Sequence, residues 1–149
     1  MTRKRSPLAN HSLSIAVFAV VCVLILLYAY ADPETHRGAF YGNAIADWTG
    51  MFVTVVATKY LHEIGSAESN KVSKPPKFMS HGVHEFLREH SLVIFLVITG
   101  AVWTIAFARM ETNGKWGQVV GNIVSEWTQI LGVVILTKKL IERGSKESN

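Results

Sequence analysis

Two acids stand where a hydrocarbon surrounding would make them costly. Asp47 and Glu126 each fall inside a long, otherwise apolar run, 79 positions apart. A carboxylate so placed faces a partner or a water-filled space, and a pair of them can hold a proton or a cation at the outer mouth of a pore. Their neighbours extend the pattern. At about 100° per residue, Asn43, Asp47, Gly50, Thr54 and Thr58 share one helix face, and Asn122, Glu126, Gln129, Val133 and Thr137 share another. A plainer reading competes with the ion site. Asn43 and Asn122 serve as N-caps, the acids sit in first turns favoured by the helix dipole, and Trp48 and Trp127 anchor the chain in the interfacial aromatic belt. Lys59 and Lys138, at the other ends of the same runs, read as anchors that snorkel to the headgroups.

Other chemistry is thinly represented. His81, His84 and Glu85 have helical metal-ligand spacing, but no HExxH motif or cysteine cluster accompanies them. Solvated histidines are the expectation, and no metal site is assigned. All six histidines lie outside the apolar runs or at their ends, which disfavours a haem site. No nucleophile–base–orienter set and no Gly-rich phosphate loop can be picked out. The expectation is a protein without catalysis and without a cofactor. The single cysteine, Cys22, excludes an internal disulfide framework and reads as a small apolar residue.

The elements that must position these residues are membrane spans. The chain has 149 residues, 49% hydrophobic and only 17% charged, against about 25% charged in a soluble globule. Crossing a bilayer takes about 20 apolar residues. Four runs qualify: 12–31, 43–61, 91–108 and 122–140. The first follows Arg3, Lys4 and Arg5 and ends in Ala29-Tyr30-Ala31, so it resembles a signal peptide; its apolar stretch is longer than the usual one, and it is read as a retained span, with cleavage as the alternative. Residues 78–90, with Met79, Val83, Phe86 and Leu87 on one face, predict an amphipathic helix in the interface.

Twelve of the fifteen Lys and Arg residues fall before the first run, between the second and third, after the fourth, or in the last three residues of the second and fourth runs. The positive-inside rule then puts both termini and the middle segment in the cytoplasm. The net charge of +4 is accounted for by contact with anionic lipid heads, so nucleic acid is not an expected partner.

The chain also repeats itself. Shifted by 79 positions, residues 1–70 align with 80–149 without a gap, and 22 of the 70 pairs are identical, where chance gives roughly 4. His11-Ser12-Leu13 meets His90-Ser91-Leu92, Asp47-Trp48-Thr49 meets Glu126-Trp127-Thr128, Thr58-Lys59 meets Thr137-Lys138, and both units end in Gly-Ser-x-Glu-Ser-Asn. The expected fold is an all-α membrane protein built as a tandem duplication of a two-helix hairpin. Residues 1–70 form the first hairpin, 71–79 a stiff cytoplasmic linker with Pro75-Pro76, and 80–149 the second. The hairpins are related by a pseudo-two-fold axis along the membrane normal, a parallel repeat. The polar stripes place the second and fourth spans inside and leave the first and third nearer lipid.

The run from Glu126-Trp127-Thr128 to Gly144-Ser145-Lys146-Glu147-Ser148 resembles a family of small bacterial integral-membrane proteins of unknown function. Members have two hairpins, each with a Trp-containing helix followed by a Gly-Ser-x-Glu-Ser tail. The resemblance implies a bacterial inner-membrane protein and supplies no reaction, substrate or cofactor. Two readings of function follow. The first is a non-enzymatic structural or accessory component, associating with itself or with another membrane protein. The alternative is a small channel or proton- or ion-coupled transporter built on Asp47 and Glu126.

Overall fold

The computed structural model describes residues 11–63, 66, 83–111, 114–138 and 140. The described residues form five helices and no strand: α1 (Ser12–Tyr30), α2 (His36–Tyr60), α3 (Val83–Glu89), α4 (Ser91–Arg109) and α5 (Lys115–Leu136). The linker, the repeated Gly-Ser-x-Glu-Ser-Asn tails apart from Ser66, the residues 78–82 of the expected interfacial helix, and the side chains of His84 and Glu85 lie outside the described residues.

Three helices are long and apolar enough to cross a membrane: α1, α4 and α5. Their apolar groups mostly point outward. Only Val17, Val21, Leu24 and Tyr28 are buried on α1, at spacings of four, three and four, and only Leu92 and Leu96 on α4. Phe18, Leu26, Ile98 and Val102 stay exposed. A helix apolar on every face yet buried along one stripe fits a lipid surrounding, where there is no water to hide from. At 25 residues α2 is the longest, but it carries His36, Arg37, Asn43, Asp47 and Lys59.

The helices pack as a row, α1 on α2, α2 on α5 and α5 on α4, with the short α3 against α4. The two helices with polar stripes therefore occupy the middle. Small side chains let α2 approach its neighbours closely, among them the buried Ala44, Ala46, Gly50 and Ala57. Aromatic rings lie over glycines in both hairpins. A Cβ on Gly42 would lie 3.2 Å from the Tyr28 ring, and one on Gly121 would lie 2.9 Å from Phe107.

At the end where α2 and α5 start, termed outer as against the inner end opposite, these two helices begin earlier than the apolar runs. The Thr35 hydroxyl accepts from the Gly38 N–H at 3.1 Å and donates to the Asp32 carbonyl at 2.7 Å. That makes Thr35 the N-cap of α2, eight positions before Asn43. Gly38 is required there: a Cβ would fall 2.0 Å from the Asp32 carbonyl oxygen. α5 likewise starts at Lys115, and no acid occupies the first turn of either helix. The N-cap reading of Asn43 and Asn122 is thus overturned. Asp47 and Glu126 are each the twelfth residue of their helix, about three turns in.

Candidate functional site

Polar side chains gather at two levels along the seam between α2 and α5. At the outer level Asn122 Nδ2 donates to Asn43 Oδ1 at 2.5 Å. Below them a cavity of about 260 Å³ is lined by Asn43, Asp47, Asn122, Ser125 and Glu126. The two carboxyls face this one space. Gln129 Nε2 donates to Glu126 Oε1 at 3.2 Å. The other carboxylate oxygen rests on Gly50, where a Cβ would come within 3.3 Å, so the absence of a side chain there lets the acid lie between the helices.

Glu126 also forms the wall of a second cleft of about 260 Å³, which runs inward past Thr54, Thr58 and Gln129 between α2, α4 and α5. The Thr58 hydroxyl donates to the Thr54 carbonyl at 2.6 Å, a local bond that satisfies a hydroxyl in an apolar setting. The structure thus brings Asp47, Glu126, Gln129, Thr54 and Thr58 onto one seam. Thr137 lies farther in, where its hydroxyl meets Ser66 Oγ at 3.1 Å.

The inner level was not singled out from the sequence. Glu63, just past the end of α2, is 1% exposed. His90 Nδ1–H donates to Oε1 at 2.6 Å, the Lys138 ammonium forms an ion pair with the same oxygen, and the Val93 N–H donates to Oε2 at 3.2 Å. The His62 carbonyl accepts from the Leu92 N–H at 3.0 Å, and Ser91 Oγ accepts from the His62 N–H at 2.8 Å. α4 has no side-chain cap of its own. Residues 62 and 63 supply acceptors for its first free N–H groups, with a carboxylate at the positive end of the helix dipole. Burial alone pushes the Glu63 carboxyl up. The hydrogen bonds from Lys138, His90 and Val93 together with the Lys138 charge outweigh it and hold the group below the usual glutamate range.

The expected anchors divide. Lys59 is exposed and donates to His11 Nδ1 at 3.2 Å, which leaves that ring nitrogen as acceptor. Lys138 turns inward to Glu63. Trp48 is half-buried, but Trp127 is 4% exposed: its indole N–H donates to Thr99 Oγ1 at 2.8 Å and its ring lies on Gly100 and near Trp103. The side chain expected in the headgroup belt is buried between α4 and α5. A third contact spans the hairpins at the outer end. Lys115 Nζ donates to the carbonyls of Ala29 and Ala31 at 3.1 and 2.5 Å, and the Tyr28 hydroxyl donates to the Lys115 carbonyl at 2.6 Å.

A signal for Glu63 existed. His11 and His90, Lys59 and Lys138, and Glu63 and Glu142 are all identical pairs in the 79-residue register, and together they place one acid and two cationic groups near the inner end of each unit. Among the described residues no cluster of three or more His, Cys, Asp or Glu could hold a metal ion. The chain matches no protein-family model, no curated protein and no solved structure.

Proposed function

We propose that the chain is a non-enzymatic, multi-pass component of a bacterial inner membrane, a structural or accessory protein that associates with itself or with other membrane proteins. In this reading α2 is a fourth span. The hairpins α1–α2 and α4–α5 enter the bilayer in the same sense, and both termini are cytoplasmic. The observation that carries it is the inverted distribution of side chains: apolar groups of α1 and α4 point outward, while the polar groups of α2 and α5 turn to each other. A polar stripe facing a neighbouring helix spares the lipid, which supports α2 as a span despite its charges. The Asn43–Asn122 bond joins residues 79 apart, as contact across a two-fold axis would. Reporter fusions after Asn70 and Asn149 should both report cytoplasm, and one at Arg37 the outside. A fusion at Asn70 reporting the outside overturns the topology.

The shared outer cavity favours a second reading, in which the Asp47–Glu126 pair binds a proton or small cation. A cation between the two carboxyls removes their mutual repulsion. In reconstituted vesicles the paired changes Asp47→Asn and Glu126→Gln should abolish proton or sodium flux while the protein still inserts. Wild-type vesicles no leakier than empty ones would end this second reading.

A further inference from the structure

The inner cleft has a different chemistry from the outer cavity. Val53, Ala57, Leu92, Leu96, Ile130 and Val134 supply apolar walls, and the Glu126 carboxyl stands at the side shared with the outer cavity. No Lys, Arg or His lines either space among the described residues. The described lysines are engaged elsewhere: Lys59 with His11, Lys115 with the end of α1, Lys138 with Glu63.

We propose that this cleft binds a lipophilic monocation, an organic ammonium whose apolar body lies along the walls while its charge rests against Glu126. The inference rests on reading Glu126 as a cation-binding group, and it deepens that reading by naming the ligand class. Charge complementarity carries it. A carboxylate in a low-dielectric seam attracts a cation more strongly than in water, and the nearby Asp47 carboxyl adds to the negative potential. The walls then select the kind of cation. A hydrated inorganic ion needs oxygen ligands on most sides, and this cleft offers few. A quaternary alkyl or aryl ammonium, with no N–H and a diffuse charge, loses less on leaving water than a small inorganic ion and gains from apolar burial. The volume of about 260 Å³ suits a small ligand, near the lower end of ligand pockets.

The test is titration calorimetry on the full chain in nanodiscs of zwitterionic lipid, with benzyltrimethylammonium and its uncharged isostere neopentylbenzene. Saturable binding of the cation, at least tenfold tighter than the isostere, is expected. Glu126→Gln should weaken it at least tenfold, and Asp47→Asn should weaken it less, with the thermal unfolding of both variants unchanged. Thr54→Phe, which fills the cleft and keeps both acids, should also abolish binding. Equal binding of the isostere assigns the cleft to a lipid tail and overturns the proposal, as does cation binding that survives Glu126→Gln. Absence of ion flux with binding intact ends the conduction reading and supports the cleft. Flux without binding overturns the cleft alone.

Discussion

The two ends of the α2–α5 seam hold acids under opposite rules. At the outer end two carboxyls 79 positions apart in the chain, Asp47 and Glu126, face one another across an open cavity. At the inner end one carboxylate, Glu63, is withdrawn from water and surrounded by an imidazole, an ammonium and a helix N-terminus. Two carboxyls can share the outer end because the cavity leaves Asp47 exposed. The inner acid can be buried because its partners are complete. The comparison separates an acid available to a ligand from an acid committed to structure.

The sharpest way to break that distinction is to remove each acid in turn. Glu63→Gln should lower stability in detergent by about 3 kcal/mol, because it leaves Lys138 and His90 facing a neutral, buried amide. Lys138→Met should cost a comparable amount, and the double variant less than the sum of the two, as expected when both substitutions remove one interaction. A loss below about 0.5 kcal/mol for Glu63→Gln would place the inner acid in the same class as a surface pair.

Acid sharpens the comparison. The Glu63 carboxyl is held below the usual glutamate range in the folded chain. Its contribution is therefore complete above the unfolded value of about 4.3 and is lost as pH falls from there through the lower folded value. Unfolding midpoints should drop across that window in the wild type. In Glu63→Gln this part of the acid dependence should vanish, and a persistent drop of equal size would assign the acid sensitivity to another group.

The outer level should respond weakly. Asn122→Ala removes one bond, between Asn122 and Asn43, and should cost about 0.6–1 kcal/mol. Asp47→Asn should change stability by no more than about 0.5 kcal/mol, in either direction, since an exposed site is involved. Chemical denaturation of the two variants beside Glu63→Gln ranks all three.

Much of the helical layout was legible in the residues. The runs 12–31 and 91–108 match α1 and α4 to within one residue at each end, because uncharged apolar stretches leave no other element to form. The stripes on the second and fourth runs foretold which helices meet. The outer starts of α2 and α5 were not legible from hydropathy, since the seven residues before each apolar run, which mix charged, small, aromatic and aliphatic side chains, remain helical. Thr35 and the turn at Asp32 set the boundary of α2 through local hydrogen bonds. Trp127 shows a different limit. Trp48 occupies the same register position, yet only Trp127 has a hydroxyl within reach, Thr99 on α4, where the aligned residue on α1 is Val20. Glu63 escaped because its meaning depends on partners 27 and 75 positions away, and no local pattern joins them.

The capping of α4 by residues 62 and 63 has a consequence for the order in which the chain is made. Synthesis delivers Glu63 before α4, so the acceptors for the first N–H groups of that helix are in place when it emerges. His90 follows within the same stretch. Lys138 comes only after α5, and until then the acid lacks its strongest counter-charge and has reason to stay in water. Burial of Glu63 is therefore a late event in biogenesis: the inner end of the seam closes only after the fourth long helix has been delivered.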